Sequence, residues 1–201
     1  MSTLTGIDIC SAALIKLGSN AIESFNDSVN SRGSEIAASL YQDTQLGNQL
    51  LASYPWSFAG YQVQLNQLLS KPTDPRFSYA YQLPSDYLSV RNAYDQAGLN
   101  IPYFIEDDQL WAMAPEVWLD YTRILAESQW PFYFVELAIA KATWEFAVPL
   151  AVTASDVDRA IKEYEYKEKK ARNIDANQNQ PQVLIGPANS RLVRSRIAFW
   201  G

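Results

Sequence analysis

The sequence contains no histidine among its 201 residues and only one cysteine, Cys10. Histidine is the most frequent general base and the commonest zinc ligand, so its absence argues against most acid–base and zinc-dependent enzymes. A single cysteine cannot form an internal disulfide. Because Cys10 lies on the apolar side of a helical pattern, we interpret it as a small buried hydrophobe rather than a reactive thiol.

The motifs of common catalytic sites are also missing. There is no glycine-rich phosphate-binding loop, no serine-centred nucleophile motif and no metal-ligand spacing. The acidic run Glu106-Asp107-Asp108 matches no calcium loop and indicates a solvated turn. The sequence therefore offers no catalytic, cofactor-binding or metal-binding motif.

Long apolar runs are absent as well. None is long enough to span a bilayer, and residues 1–5 lack the basic region and apolar core of a signal peptide. We expect a soluble protein made in a cytoplasm.

The composition that is present favours a globular chain with an uneven charge. Hydrophobic residues make up 48% and charged residues 19%, and the length suits one domain. Residues 1–175 carry 13 basic and 22 acidic residues, a net charge of −9, whereas residues 176–201 carry three arginines and no acid. An acidic body argues against tight binding to nucleic-acid phosphates, while the basic segment suits an acidic partner surface.

Apolar residues at helical spacing predict helices at both ends of residues 1–175. Thr5 and Asp8 resemble a capping box that opens a helix ending at Gly18. A longer helix is predicted from about Ser31 to Ser53, where Pro55 stops it.

Two further helices are predicted after residue 130. The first runs from Phe132 to Val148 and should be largely buried, with Pro131 in its first turn. The second runs from Asp156 to about Ile174, opened by a capping box of Ser155 and Asp158. Its spaced pairs Asp158 with Lys162, Glu163 with Lys167 and Glu165 with Lys169 suggest a solvated outer face. We expect these two helices to form a hairpin.

Between these helical regions the apolar residues alternate, which predicts strands. The candidate strands are Val63–Leu65, Phe77–Leu83, Tyr87–Tyr94, Tyr103–Glu106, Leu110–Ala114 and Val117–Ile124. Of these, Tyr103–Glu106 and Leu110–Ala114 are expected to pair as a hairpin across Asp107-Asp108. The stretch Tyr54–Ala59 joins helix to strand, and we expect Trp56 and Phe58 to pack where the two meet.

These patterns together predict an α+β fold that is mainly α: a helical bundle body with an inserted small antiparallel sheet and an extended C-terminal tail. Residues 1–175 form one domain, helical over 1–55 and 128–175 with the β insertion at about 56–124. Residues 176–201 form the tail, whose apolar and basic side chains suit contact with a partner. The expected partner-binding residues are Val183, Leu184, Ile185, Arg191, Arg194, Arg196, Ile197, Phe199 and Trp200.

Three stretches, in this order and spacing, carry a resemblance to a known family. They are Ala13-Leu14-Ile15-Lys16-Leu17-Gly18, Pro55-Trp56-Ser57-Phe58-Ala59, and the twelve residues from Tyr79 to Val90, YAYQLPSDYLSV. Together with the helices after Pro131 they resemble the head-to-tail adaptors of tailed bacteriophages, the tail tubular protein A or gatekeeper family of short-tailed phages. The likeness spans roughly residues 5–175.

The resemblance implies a structural protein of the virion that forms a dodecameric ring at the head–tail junction. Such a ring binds the portal protein on one side and the tail nozzle or tube on the other, and DNA passes through its lumen without sequence-specific binding. It implies no enzyme activity and no cofactor, and a tail that contacts the portal or a neighbouring subunit.

Two other hypotheses remain open. The first is a carbohydrate-binding or hydrolytic tail component that uses tryptophan and carboxylate residues, and the second is a monomeric helical regulator.

Overall fold

The computed structural model describes residues 4–26 and 31–178. Five α-helices and seven strands follow one another along these residues, with the strands between the third and fourth helices. The helices are α1 (Gly6–Lys16), α2 (Ser31–Ala37), α3 (Leu46–Ala52), α4 (Phe132–Ala147) and α5 (Ala154–Gln178). The strands are β1 (Gly60–Gln64), β2 (Asn66–Gln67), β3 (Tyr79–Gln82), β4 (Tyr87–Tyr94), β5 (Tyr103–Glu106), β6 (Gln109–Ala112) and β7 (Trp118–Arg123).

Helix α1 begins and ends as its sequence predicts. The backbone N–H of Asp8 donates to Thr5 Oγ1 at 3.3 Å, and the Thr5 N–H donates to Asp8 Oδ2 at 2.8 Å. This reciprocal pair is the predicted capping box, which satisfies two donors that the first helical turn leaves free. Gly18 follows the helix with φ of +77°, a left-handed conformation that glycine adopts without steric cost.

The single long helix predicted from Ser31 to Ser53 is wrong. The chain forms α2, then a π-helical segment over Ala38–Asp43, and then α3 in a new direction after Gln45, whose φ is +51°. Gly47 in α3 lies against the ring of Trp130, where an added Cβ would approach Trp130 Cη2 to 2.7 Å. The contact of Gly47 with Trp130 goes together with this interruption of the helix. The spacing of apolar residues in the sequence does not show such an interruption.

The strands form two antiparallel sheets instead of one. The first has the strand order β1-β7-β4 and the second the order β2-β3-β6-β5. The predicted hairpin across Asp107 and Asp108 is confirmed, since Tyr103 of β5 pairs with Ala112 of β6. The first sheet pairs strands far apart in sequence, with Gly60 of β1 opposite Thr122 of β7.

The predicted fold, a mainly α helical bundle with one small sheet, is therefore wrong, although the chain is α+β. The two sheets share an apolar core of their own, separate from the core of the helices. Strands β4 and β7 contribute Ala93, Leu119 and Tyr121 to it, and β3 and β6 contribute Tyr81 and Leu110. Because the strands of both sheets bury apolar side chains in this common core, they form a second structural layer rather than an appendage of a bundle.

Helices α4 and α5 pack against each other as the predicted hairpin. Ion pairs link α5 to both α4 and α1. Lys167 of α5 donates to Glu136 of α4 at 2.8 Å, and Glu163 of α5 accepts from Lys16 of α1 at 2.6 Å. The pairing of Glu163 with Lys167 within α5 is thus replaced by contacts between helices. The capping residues also differ from the prediction, because Asp156 bonds Thr153 through both its backbone N–H and its carboxylate.

Candidate interaction surfaces

The stretch Tyr54–Ala59 anchors the start of the strands in the helical core. Trp56 is fully buried, its ring lies 5.1 Å from that of Phe134 of α4, and its Nε1–H donates to the carbonyl of Leu50 at 2.9 Å. Phe58 is partly buried in the same cluster, with its ring 5.0 Å from that of Phe134. Trp56 and Phe58 thus fix the point where the chain leaves the helices.

A buried carboxylate, Asp175 near the end of α5, holds three structural elements together. Its oxygens accept from the Ser57 backbone N–H at 2.9 and 3.1 Å, from the Ser57 hydroxyl at 2.7 Å and from the Tyr133 hydroxyl at 2.8 Å. Burial and this hydrogen bond to Asp175 both raise the pKa of Tyr133. No sequence pattern singles out Asp175, because it follows a run of exposed charged residues on α5.

Arg91 of β4 links the first sheet to the same region. Its guanidinium donates to the carbonyl of Trp56, and its Nε–H donates to Thr122 Oγ1 at 3.0 Å. Burial lowers the pKa of Arg91, and the charges of Asp120 and Asp175 oppose that shift. Arg91 therefore connects the helical layer to the β layer through a charge that is largely removed from water.

The partner-binding residues predicted in the tail lie outside the described residues. This holds for Val183, Leu184, Ile185, Arg191, Arg194, Arg196, Ile197, Phe199 and Trp200. The structure does describe the residue from which that segment starts. Gln178 ends α5 with its side-chain oxygen 3.5 Å from the hydroxyl of Tyr133, so the described chain ends beside the first turn of α4.

One exposed apolar surface lies at the end of the β layer that is far from the helices. It comprises Leu99, Met113 and Trp118, which we call the distal patch; Leu99 is 64% exposed and Met113 56%. Depressions of about 540 Å³ and 330 Å³ flank the turn Asp95–Asn100 within this patch. Leu88 at the start of β4 packs on the helical core, whereas Tyr94 at its end pairs with Trp118. At about 3.3 Å per residue, the patch lies roughly 20 Å beyond the helices.

Other exposed apolar side chains lie on the helical layer. Phe132 at the start of α4 is 77% exposed and Val148 just after its end is 68% exposed. Tyr166 on α5 and Ile15 on α1 are exposed as well. Single apolar side chains in water are common on protein surfaces, so none of these four by itself marks an interface.

A cavity of about 410 Å³ opens between α1, the π-helical segment and the turn before α4. Phe25, Tyr41 and Trp130 contribute aromatic rings to its wall, and Glu127 contributes a carboxylate. The Tyr41 hydroxyl donates to Glu127 Oε1 at 3.2 Å. Burial, followed by the charge of Glu127, raises the pKa of Tyr41. The same two causes raise the pKa of the nearby Cys10 thiol to about 12.

The residues considered for chemistry do not form a catalytic constellation. Cys10 is fully buried, as predicted, and Glu106 at the end of β5 is exposed together with the turn Asp107-Asp108 that leads to β6. Across residues 4–26 and 31–178, no group of three or more aspartate, glutamate and cysteine side chains could hold a metal ion.

Three of the five tryptophan side chains in the described part of the chain are buried and so cannot serve as a sugar-binding platform. Trp56, Trp111 and Trp130 are buried, and Trp118 lies in the distal patch. The basic residues near the end of α5 are also engaged, since Lys167 pairs with Glu136 and Arg172 pairs with Glu168. This cluster is therefore a paired helix face, which disfavours phosphate binding there.

A scan of the chain against protein-family models found no match, and a search of curated proteins found none either. No helix among the described residues combines the length and the apolar character needed to cross a membrane.

Proposed function

We propose that this chain is a structural head-to-tail adaptor of a bacteriophage virion. It forms a ring, dodecameric by the resemblance, between the portal protein and the tail nozzle or tube. It acts by binding other virion proteins and needs neither a catalytic centre nor a cofactor.

The observation that carries the proposal is that large apolar side chains are exposed to water on both layers of the chain, and at one end of the β layer they form the distal patch. An adaptor must bind a component above it, a component below it and its neighbours in the ring, so it needs several interfaces on one subunit. The distal patch on the β layer is the surface we assign to one of these components, and Phe132 and Val148, at opposite ends of α4, expose further apolar side chains on the helical layer.

The start of the tail suggests how the subunit is oriented. Gln178 lies beside Tyr133, so the arginine-bearing tail begins on the helical layer. If the tail residues Val183 to Trp200 bind the portal, the helical layer faces the head. The distal patch, roughly 20 Å further along β4, then faces the nozzle.

The charge of the body agrees with a channel for DNA. Residues 1–175 carry a net charge of −9, and acidic side chains repel phosphates. DNA would therefore slide through the ring without sequence-specific binding.

The proposal is tested by expressing the full chain with the portal protein and with the nozzle protein of the same phage. Electron microscopy should show rings attached to each, and removal of residues 182–201 should abolish portal attachment while circular dichroism shows a folded body. Normal portal attachment of the truncated chain would exclude the tail as the portal-binding segment. The absence of rings under every condition would refute the adaptor function.

Two matched surface variants distinguish the surface that binds the nozzle from the surface that binds the portal. Leu99→Ser with Met113→Ser alters only the distal patch and should abolish nozzle attachment, leaving portal attachment intact. Val148→Ser changes an equally exposed apolar residue on the helical layer and should leave nozzle attachment intact. Equal effects of both variants on nozzle attachment would contradict the proposed orientation.

A further inference from the structure

The cavity beside Glu127 has the features of a site for a cationic side chain. Its carboxylate is half-buried and accepts one hydrogen bond, from the Tyr41 hydroxyl. Within the described residues, no lysine or arginine lies within 4.0 Å of Glu127, so its charge is uncompensated there. After burial, the charge of Glu127 is the next cause of the raised pKa of both Tyr41 and Cys10.

The rest of the wall favours a flat cation over a compact one. Rings of Phe25, Tyr41 and Trp130 line the same cavity, and Phe25 and Tyr41 lie nearly parallel with centroids 6.5 Å apart. Cations bind over aromatic faces, and a guanidinium can stack on a ring while its N–H groups bond a carboxylate. A volume of about 410 Å³ is ample for one arginine side chain.

We propose that this cavity binds an arginine of the tail, folded back onto its own subunit. The tail carries Arg191, Arg194 and Arg196 with no acidic residue, so it complements a carboxylate on an acidic body. Both groups belong to this chain, so the contact does not depend on the adaptor function. In the proposed adaptor, portal binding by the same segment would compete with it.

The tail starts close enough to reach the cavity. Gln178 lies beside Tyr133, and Trp130 in the cavity wall is three residues from Tyr133, at most about 10 Å along the chain. Thirteen residue steps separate Gln178 from Arg191, and a chain of that length spans at most about 43–47 Å. The tethered arginines therefore reach the cavity at a high effective concentration.

Disulfide trapping in the full-length chain tests the contact. In a Cys10→Ala background, Gln42→Cys places a thiol in the cavity wall and Ser195→Cys places one between two of the arginines. Ala97→Cys, an exposed position in the distal turn, replaces the cavity thiol in the control. Under mild oxidation we expect the Gln42–Ser195 pair to form an intramolecular disulfide at least about ten times faster than the control pair.

Charge variants show whether the arginine and the carboxylate cause the trapping. Glu127→Gln should slow it roughly tenfold, as loss of about 1.4 kcal/mol of binding requires, and Glu106→Gln should not change it. Replacing Arg191, Arg194 and Arg196 by Gln should have the same effect as Glu127→Gln and leaves all described residues unchanged.

Three results would overturn the proposal. Equal trapping rates for the cavity and control pairs would show that the tail does not favour the cavity. Trapping only between two chains would assign the occupant to another copy. Trapping that is insensitive to all the charge variants would exclude an arginine–carboxylate contact.

Discussion

Replacing Asp175 tests whether one buried carboxylate joins the layers of this protein. Asp175 is 2% exposed and accepts from the Ser57 N–H, the Ser57 hydroxyl and the Tyr133 hydroxyl. Asp175→Ala leaves these three donors without their acceptor and removes a negative charge near Arg91. Unsatisfied buried donors cost about 1–3 kcal/mol each, but Ser57 is only half-buried and can recruit water. We expect a loss of about 3–5 kcal/mol, because hydrogen bonds to a charged group contribute about 1.5–3 kcal/mol each.

The measurement is the free energy of unfolding from urea denaturation, followed by circular dichroism and by tryptophan fluorescence. Asp175→Asn keeps the volume and one acceptor, so it should lose about half as much as Asp175→Ala. Asp158→Ala removes an exposed acid from the same helix and serves as the control, with an expected change of about 0.5 kcal/mol or less. If Asp175→Ala stayed within 1 kcal/mol of the unmodified chain, the role assigned to Asp175 would be refuted.

Three further predictions concern burial. Trp56→Ala should lower the free energy of unfolding by about 3–5 kcal/mol, because it removes a fully buried ring; a variant that kept its stability but lost assembly would mark an interface instead. Burial raises the pKa of Tyr81 and Tyr121 to about 12, so these side chains stay neutral in the folded chain while unfolded tyrosines ionise near pH 10. Stability present below about pH 10 should fall up to about pH 12, by as much as about 1.4 kcal/mol per pH unit for each side chain. Urea titrations at pH 9, 10 and 11 should show this slope, and it should be smaller with both tyrosines changed to phenylalanine. The Cys10 thiol should react with Ellman's reagent at pH 8 only when urea unfolds the chain, and rapid reaction in the native state would contradict its burial.

Predictions from the sequence succeeded where a pattern is local. The capping box of Thr5 and Asp8 spans three residues and depends on adjacent backbone groups, so its sequence signature is sufficient. The predicted run from Phe132 to Val148 nearly coincides with α4, because a long apolar segment without proline or glycine has few alternatives to a helix. The hairpin of β5 and β6 likewise follows from alternation on both sides of a two-residue turn.

Predictions failed where a distant contact decides the outcome. The stripe of apolar residues from Ser31 to Ser53 is compatible with one helix, but the close approach of Gly47 to Trp130 accompanies a break at Gln45. From the sequence, the six predicted strands are assigned to one sheet. Alternation of apolar residues shows which face of a strand is apolar, but it does not show which strand is its neighbour. The pairing of β1 with β7 is what divides them into two sheets.

The candidate sites show the same division. Cys10 could be interpreted as buried because its helical face is apolar in the sequence. Asp175 could not be identified, since it follows a run of charged residues on a helix whose outer face is solvated. Glu127 stands in a short turn without any motif. Only packing brings Ser57 and Tyr133 to Asp175 and places three aromatic rings around Glu127.

The sequence by itself determined the local elements, the absence of histidine and disulfide chemistry, and the division into an acidic body and a basic tail. These properties depend on neighbouring residues or on composition, which no tertiary contact changes. The tertiary structure alone decided that the strands form a second layer, that Asp175 and Arg91 connect the layers, and that Glu127 lies without a cationic partner among the described residues. Each of these depends on residues far apart in the chain meeting in a buried environment, where the energy of a charge is set by its surroundings rather than by its position in the sequence.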